Sequence, residues 1–251
     1  PTRAEKPESD VLFWVGCSGA LVQRGVDTTR SMASVLKKAG IQFAVLGDEE
    51  TCTGDPARRL GNEYLFQMQA ETNIETFKQY DVKKIITTCP HCFNTIKNEY
   101  PQLGGNYDVI HYTAFVGELL KDGKLKPTEA GIGKIGTVTY HDSCYLGRHN
   151  GEFGAPREIM SSIPGLDFVE MDRNQERSFC CGAGGGQMWM EAEGERVNHM
   201  RTDQFLETDA ETVAVSCPFC IQMFDEGITA KGAEDGRKAV DLISILDQAT
   251  D

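Results

Sequence analysis

The sequence has no long apolar segment and no excess of basic residues. Its longest uninterrupted apolar stretch, residues 11–15, is far shorter than the roughly 20 residues of a membrane-spanning helix. We therefore expect no membrane span in this chain. Acidic residues outnumber basic residues by 38 to 25, and the net charge is −13. This balance argues against nucleic acid as a partner, because phosphate backbones bind clustered Lys and Arg.

Two further sequence signals are absent. Residues 1–10 are polar and charged, and they lack the basic start, apolar run and small-residue cleavage site of a secretory signal. We therefore expect a reducing, cytoplasmic compartment, in which cysteine clusters bind metals more often than they form disulfides. The glycine-rich run at residues 182–186 lacks the Gly-Lys-Ser or Gly-Lys-Thr of a phosphate-binding loop. Nucleotide binding is not predicted there.

The nine cysteines form two sets that repeat along the chain. Cys144 follows Cys17 by 127 residues, and three further pairs are each separated by 128 residues. Core thiols have no reason to repeat at a fixed offset, whereas a duplicated metal site does. The sequence therefore predicts two copies of one metal-binding unit. The first set is Cys17, Cys52, Cys89 and Cys92, and the second is Cys144, Cys180, Cys181, Cys217 and Cys220.

The number of sulfurs in each set bears on the metal. A single Cys-x-x-Cys is also typical of redox-active dithiols, but two such pairs with matched distant partners favour metal binding. Four thiolates suit a structural zinc ion, so zinc stays open for the first set. Five sulfurs, with Cys180 and Cys181 adjacent, exceed what one tetrahedral ion binds, whereas an iron–sulfur cluster offers several irons. Buried free thiols are the simplest alternative, but adjacent cysteines beside a glycine-rich run are not typical of a core.

Each half alternates short strands with helical segments, which predicts an α/β fold of two pseudo-symmetric halves, each a small, mostly parallel sheet flanked by helices. We divide the chain into a linker or disordered terminus (1–10), a first repeat (11–121), a linker (122–136) and a second repeat (137–251). The predicted strands are 11–15, 42–46, 84–87, 109–111, 137–140, 167–170, 212–215 and 238–240. Helices are predicted at 28–38, 57–80 and 241–248, the second with Asp55 as its N-cap and Pro56 in its first turn. The cysteines follow predicted strands, so they should converge at the carboxyl ends of the sheets.

Residues 179–186 have the sequence Phe-Cys-Cys-Gly-Ala-Gly-Gly-Gly, with Cys144 before them and Cys217-Pro-Phe-Cys220 after them. This arrangement resembles the cysteine-rich CCG domain of heterodisulfide reductases and their relatives, in two copies over nearly the entire chain. The segments 51–59, 89–95 and 141–148 look like the C-terminal part of bacterial membrane iron–sulfur oxidoreductases that take electrons from electron-transfer flavoprotein and reduce a quinone. In those relatives a membrane region and a ferredoxin-like segment with two cubane clusters come first.

The resemblance implies a non-cubane [4Fe-4S] cluster on the five second-set cysteines. In the first copy Thr53 aligns with Cys181, and a threonine hydroxyl is a poor substitute for a thiolate. The first set is therefore expected to hold a cubane [4Fe-4S] cluster or zinc. The implied partners are electron-transfer flavoprotein and a membrane quinone-reducing region with ferredoxin-like clusters, in the same or a partner chain at the inner face of the cell membrane.

Other functions stay open at this point. They are a heterodisulfide or thiol–disulfide reductase, an iron–sulfur component of a glycolate- or lactate-type hydroxyacid dehydrogenase, and a scaffold that binds zinc at both sets. No residue is assigned a catalytic role.

Several polar residues lie near the predicted sites. His141 and Asp142 either contact the second centre indirectly or fix a turn, and His91 faces the metal or solvent without being counted as a ligand. Three arginines lie near the carboxyl edge of the sheets, where the cysteines are expected. They either stabilise a reduced cluster, dock an acidic partner or are simply solvated at the surface, and the last is the stronger expectation. They are Arg58, Arg59 and Arg148.

Overall fold

The computed structural model describes residues 1–129, 135–191 and 193–250. Within them the chain forms two parallel sheets flanked by helices, which confirms the predicted fold class. The strands are β1 (Val11–Trp14), β2 (Phe43–Ala44), β3 (Lys84–Thr87), β4 (Asp108–His111), β5 (Val138–Tyr140), β6 (Thr212–Val215) and β7 (Lys238–Asp241). The helices are α1 (Gly16–Leu21), α2 (Gln23–Lys38), α3 (Asp55–Arg59), α4 (Glu63–Gln79), α5 (Pro90–Asn94), α6 (Tyr112–Lys121), α7 (Gly154–Ser161), α8 (Val197–Leu206), α9 (Pro218–Ala230) and α10 (Leu242–Ala249).

The strand order is β2-β1-β3-β4 in the first sheet and β5-β6-β7 in the second. Each of these neighbouring pairs is parallel. Strands β1 and β6 are buried along their whole length, as expected where helices cover both faces of a parallel sheet. Because the strands of each sheet run in one direction, their carboxyl ends meet at one edge, where open α/β sheets bind ligands.

Two apolar clusters join the halves, and each cluster contains residues of both. One includes Trp14 and Ile85 from the first half together with Val213 and Phe224 from the second. The other places residues of β1 and β3 with residues of β5 and β6. Burial of each large side chain contributes about 1.5–3 kcal/mol. The two repeats therefore stabilise one another, and the edges that carry the cysteines are held together.

The long helix predicted at residues 57–80 is broken in the structure. Gly61 has a φ of 84°, and the Asn62 side chain accepts a hydrogen bond from the Leu65 amide at 3.1 Å to start α4. The prediction that Asp55 is an N-cap is wrong, because Gly54 occupies that position and Asp55 is the first helical residue. Its carboxylate is thereby free to make a contact elsewhere.

The strand predicted at residues 167–170 is reduced to a single parallel bridge between Val138 and Phe168. Backbone hydrogen bonds from Val138 to Asp167 and from Val169 to Val138 form this bridge. Beyond it the chain leaves the sheet, and Met171 is buried in an apolar cluster.

The segments predicted to be a terminus and a linker make defined contacts. Thr2 pairs with Val45 beside β2, and Pro127 forms an antiparallel bridge with Thr250. The central part of the predicted linker, residues 130–134, lies outside the described residues. Among the described residues, no helix combines the length and apolarity needed to cross a bilayer.

Candidate metal centres

The cysteines follow the carboxyl ends of strands or of the bridge at Phe168, either in a loop or in the first turn of the next helix. The two Cys-Pro-x-Cys motifs start helices in the same way. Cys89 and Cys217 have extended backbone conformations just before α5 and α9, and a proline is the first helical residue in each case. Such a position suits proline, and it turns both sulfurs of each motif towards one point. All nine cysteines are free thiols.

The four first-set cysteines line one pocket, together with residues of the β1 loop, of α3 and of α5. Cys17 interacts with Cys52, and Cys89 interacts with Cys92. Gly16 lies directly beside them, since a Cβ added there would be 3.4 Å from the Cys92 sulfur. A glycine with a φ of 76° thus allows the backbone to approach the sulfurs closely.

The five second-set cysteines are neighbours in the structure. Cys144 interacts with Cys180, Cys181 and Cys217, and Cys181 interacts with Cys220. The Sγ atoms of Cys181 and Cys220 are 3.3 Å apart. Among the described residues, the sulfurs of Cys181 and Cys220 form a group of candidate ligand atoms with one ring nitrogen of His141, and Cys144, Cys180 and Cys217 lie close enough to interact electrostatically with these cysteines.

One contact can be compared directly between the copies. In the first copy the Thr53 hydroxyl lies 3.9 Å from the Cys92 sulfur, and in the second copy Cys181 contacts the corresponding Cys220. Thr53 is 2% exposed. The threonine therefore occupies the place of the fifth sulfur, which is the relation that the sequence alignment of the halves predicts.

The glycine after the second cysteine of each set donates a hydrogen bond to a sulfur. The Gly54 amide lies 3.5 Å from the Cys52 sulfur, and the Gly182 amide lies 3.3 Å from the Cys180 sulfur. Hydrogen bonds with the Cys17 thiol, and then with this amide, lower the pKa of Cys52 to about 6 despite its burial. Hydrogen bonds with the side chains of Cys144 and Cys181, and then with the Gly182 amide, lower the pKa of Cys180 to about 2. Both copies thus favour a thiolate at the same position, which is the form that binds metal.

His141 faces the second set. One of its ring nitrogens and the sulfurs of Cys181 and Cys220 all lie within 4.8 Å of one another. Arg201 donates a hydrogen bond to His141 Nδ1 at 3.2 Å, while Nε2 has no hydrogen-bond partner. Burial, with the nearby Arg201 charge, lowers the pKa of His141 well below its usual range. The sequence did not point to Arg201, a fully buried arginine on α8, because its spacing from the cysteines carries no signal.

Asp142 turns away from the sulfurs. Its carboxylate accepts two hydrogen bonds from Arg157, at 2.8 and 2.9 Å, and one from the Gln175 amide at 2.7 Å. Of the two roles considered for this residue, the structure thus favours fixing the local backbone.

His91 lies between the two sets rather than in solvent. Its Nδ1 is 2.8 Å from the Asp55 carboxylate, and its ring lies close enough to the sulfur of Cys217, a second-set cysteine, for the two groups to interact. Burial lowers the pKa of His91, but the hydrogen bonds with Asp55 and Cys217 outweigh it and raise the pKa to about 10. Burial likewise disfavours the Cys217 thiolate, yet hydrogen bonds with Cys220 and His91 hold its pKa well below the usual range.

The arginines near this edge are paired with other groups. Arg58 and Arg59 both bind Glu99, each at 2.6–2.7 Å, and Arg59 also lies 3.5 Å from Asp55. Arg148 donates a hydrogen bond to the Ser178 carbonyl at 2.6 Å, two residues before Cys180. These contacts order the loops that carry the cysteines.

The donor sets fit iron–sulfur chemistry. Thiolates are soft ligands that select zinc and iron–sulfur clusters over hard cations, and backbone amides aimed at the sulfurs are typical of the latter. The first set provides four thiols in one pocket, whereas the second provides five and a nearby imidazole. The first set therefore fits either a cubane cluster or zinc, and the second exceeds the needs of a single tetrahedral ion.

Comparison with protein families agrees with this duplicated geometry. The family model described as "Cysteine-rich domain" (CCG) matches the chain twice, at residues 11–97 and 138–225. The chain belongs to this CCG family. Each match contains one full cysteine set.

The relatives include named oxidoreductases. The chain is 47% identical over 248 residues to the probable iron–sulfur-binding oxidoreductase FadF of Bacillus subtilis, covering 98% of this chain and 35% of that protein. It is 44% identical over 248 residues to the EtfAB:quinone oxidoreductase of Syntrophomonas wolfei, covering 95% of this chain and 34% of the relative. One component of the dihydromethanophenazine:CoB–CoM heterodisulfide reductase of Methanosarcina barkeri is 38% identical over 227 residues, covering 88% of this chain and 54% of that component. The CCG chain thus spans about a third of the first two relatives and about half of the third.

Proposed function

We propose that the chain is an iron–sulfur electron-transfer unit of an oxidoreductase. In this proposal Cys144, Cys180, Cys181, Cys217 and Cys220 hold a non-cubane [4Fe-4S] cluster. The observation that carries it is the contact of the Cys181 and Cys220 sulfurs at 3.3 Å, with the other three second-set thiols close enough to interact with them. A single metal ion does not use five sulfurs, whereas a cluster with several irons does. The names of the relatives, which are iron–sulfur oxidoreductases, support the same class of function.

For the first set we propose a cubane [4Fe-4S] cluster on Cys17, Cys52, Cys89 and Cys92, with zinc as the competing occupant. Cys89 lies close enough to Cys217 for their charges to interact, so the two sets are neighbours. Iron–sulfur clusters store and release single electrons. The residues of this chain hold the sulfurs, keep water from the buried cysteines and direct the Gly54 and Gly182 amides at them.

The relatives suggest the donor and acceptor. One is named an EtfAB:quinone oxidoreductase, and another a probable membrane-anchored ferredoxin that is 39% identical over 257 residues. We propose that electrons pass between electron-transfer flavoprotein and a membrane quinone through these centres. Because the chain spans about a third of such proteins, the quinone step belongs to a membrane region with ferredoxin-like clusters in the same or a partner chain.

A thiol–disulfide reductase is the second candidate, and one observation favours it. A cavity of about 550 Å³ opens beside the first set and is lined by Cys17, Cys52, Ala20, Leu21 and Glu50, among others. Cys17 is exposed. A small disulfide fits a cavity of this size, and its cleavage to two thiols consumes two electrons, supplied by the reduced flavoprotein, and two protons.

Stopped-flow oxidation of the anaerobically purified, dithionite-reduced chain separates the two functions. The electron-transfer proposal expects rapid return of the visible absorption on mixing with a soluble one-electron acceptor such as ferricyanide, and no reaction with a small organic disulfide. Ala20→Trp narrows the cavity without replacing a cysteine and should leave the reaction with the one-electron acceptor unchanged. Rapid oxidation by the disulfide that is lost in Ala20→Trp would instead establish the reductase and overturn the simple relay.

A further inference from the structure

Exposed apolar side chains surround the glycine-rich segment 182–186, which follows the adjacent cysteines of the second set. Leu60 of the first copy lies against Gly186, where an added Cβ would be 2.7 Å from the leucine Cδ2. Val197, the first residue of α8, lies against Gly182, where an added Cβ would be 3.0 Å from the valine Cβ. We call this group the apolar patch. Its members are Leu60, Trp189, Met190, Val197 and Met200, which are 40–61% exposed.

Trp189 links the apolar patch to both cysteine sets. Its ring packs edge to face against Phe219, with centroids 6.1 Å apart. Phe219 lies between Cys217 and Cys220 in the second-set motif, and it also lines the pocket of the first set. A redox group that docks on Trp189 is therefore separated from either set by little more than two aromatic rings.

The composition of the apolar patch is typical of a protein interface. Aromatic residues and Met are enriched in protein interfaces, and Trp is common among the residues that contribute most to affinity. A group of exposed apolar side chains marks an interaction site when the side chains are contiguous. The space beneath Trp189 and Phe219 has a volume of only about 10 Å³, which is about one water molecule. The patch is therefore a surface for a protein rather than a pocket for a small substrate.

The chain that continues from the apolar patch is acidic. Glu191, Glu193 and Glu195 follow Met190 closely, and all three side chains are exposed. None of the three has an ion-pair partner among the residues that the structure describes. We call these three residues the acidic rim. Their charges are available to a partner.

The basic residues closest to the patch are already paired. Arg196, directly after the acidic rim in the chain, binds Glu226. Arg59, directly before Leu60, binds Glu99 at 2.6 Å. The unpaired charge beside the patch is therefore negative, and charge complementarity selects a partner with a positive surface.

We propose that the apolar patch and the acidic rim form the docking surface for a redox protein whose own exposed redox group is surrounded by Lys and Arg. Docking places that group against Trp189. One electron then passes between the reduced centre and the partner's group, and no bond forms or breaks. The inference rests on the proposed electron-transfer function, and it names the surface that the partner uses and the charge that the partner carries.

The test uses ferricytochrome c, a basic haem protein, as the partner probe and ferricyanide as a small anionic acceptor. The anaerobically purified chain is reduced with dithionite, freed of excess reductant and mixed with each acceptor in a stopped-flow instrument at several ionic strengths. The rate constant with ferricytochrome c should be high and should fall as salt is added, because opposite charges steer the encounter. Ferricyanide is repelled by the same charges, so its rate constant should rise with salt.

The charge of the acidic rim is removed by the triple variant Glu191→Gln, Glu193→Gln and Glu195→Gln. At low salt we expect the rate constant with ferricytochrome c to fall about tenfold, and its salt dependence to weaken. The reaction with ferricyanide should be as fast as in wild type or faster. Opposite effects on the two acceptors separate docking from damage to the centre.

The matched control removes three charges at the opposite edge of the second sheet. Its substitutions are Asp209→Asn, Glu234→Gln and Asp235→Asn, at exposed positions in the loops before β6 and β7. The net charge of the chain changes by the same amount as in the rim variant. The rate constant with ferricytochrome c should change by less than about twofold, because charges far from the docked partner are screened.

Trp189→Ser tests the apolar patch. We expect the rate constant with ferricytochrome c to fall about tenfold or more at every ionic strength, while iron content stays that of wild type. The reaction with ferricyanide should be at least as fast as in wild type. Trp189→Phe retains an aromatic ring and should recover most of the lost rate.

Three results would overturn the inference while leaving the electron-transfer proposal intact. They are equal slowing in the rim variant and its matched control, wild-type rates in an iron-loaded rim variant or Trp189→Ser, and a wild-type chain that reduces ferricyanide but not ferricytochrome c. A wild-type chain that binds no iron–sulfur centre would overturn both.

Discussion

The two cysteine sets occupy equivalent places in two similar sheets, and three of the corresponding positions that differ between the copies lie at the sites. The fifth sulfur of the second set, Cys181, is replaced by Thr53 in the first. The Asp55–His91 pair of the first copy is replaced by Ala183 and Phe219 in the second. Shared backbone geometry therefore provides two sulfur-lined sites, and we attribute the proposed difference between their metal centres to a few side chains.

The largest expected effect comes from removing the fifth sulfur. Cys181→Ser should eliminate or convert the second-set centre while the first-set centre stays intact, because a serine hydroxyl is a poor ligand for iron beside thiolates. Iron and sulfide content together with the paramagnetic spectrum would show this. Cys17→Ser is the matched variant, and it should affect the first centre alone. A Cys181→Ser protein with unchanged iron and spectrum would refute the ligand assignment.

The reverse change sharpens the comparison. Thr53→Cys places a sulfur beside Cys92, where the threonine hydroxyl now lies 3.9 Å away. After anaerobic reconstitution we expect added iron and a second spectrum of the second-set type. Thr51→Cys, two residues earlier, is the control and should add none. If Thr53→Cys gains no iron, the correspondence between Thr53 and Cys181 is not functional.

His111 and Asp241 end the last strand of each sheet, and their side chains cap the helices α6 and α10. The contributions of these two residues to stability depend on pH with opposite sign. Burial raises the pKa of Asp241 to about 7, from an ordinary value of 3.8. The protonated carboxyl therefore stabilises the fold fully below pH 4, and this contribution is lost as the pH rises through 7. Burial lowers the pKa of His111, the corresponding cap, to about 3, so its contribution is present above 6.5 and is lost as the pH falls.

Asp241→Asn should remove the first of these contributions. Asparagine can still accept hydrogen bonds from Tyr112 and the Ile243 amide, which Asp241 now binds at 2.8 and 3.0 Å. We expect the difference in unfolding free energy between wild type and variant to change by roughly 2–4 kcal/mol between pH 4 and pH 7. Chemical denaturation across this range measures it. A difference that is constant with pH would show that Asp241 has the same pKa folded and unfolded.

The smallest expected effects concern the glycines that direct amides at the sulfurs. Gly54 and Gly182 have φ angles of 87° and 88°, and a Cβ would lie 2.8 Å from Phe66 in one and 3.0 Å from Val197 in the other. Alanine at either site should lower the free energy of unfolding by about 1–3 kcal/mol. Gly184→Ala, where a Cβ meets nothing within 4 Å, is the control. Equal effects at all three glycines would contradict the role of backbone conformation.

The sequence predicts the parts of this structure that repeat or have local causes. The fixed offset between cysteines indicates the duplication, and the prolines of the Cys-Pro-x-Cys motifs place helix starts at Pro90 and Pro218. The α/β class follows from the alternation of strands and helices. These features depend on neighbouring residues, which a single sequence displays.

Features that depend on tertiary contacts are not predictable in this way. Asp55 has the sequence signature of an N-cap, but its carboxylate binds His91 from another loop. Gly61 interrupts a pattern that is otherwise helical, because Asn62 can start a new helix there. The contact of His91 with Cys217 joins residues of opposite copies, and no local spacing indicates it.

The most direct test of the central claim is the iron, zinc and acid-labile sulfide content per chain of anaerobically purified protein, measured with its absorption and paramagnetic spectra. The account predicts brown protein containing iron and sulfide, with a second-set signal that depends on Cys181. Colourless protein that binds zinc alone, or cysteines joined in disulfides, would contradict it.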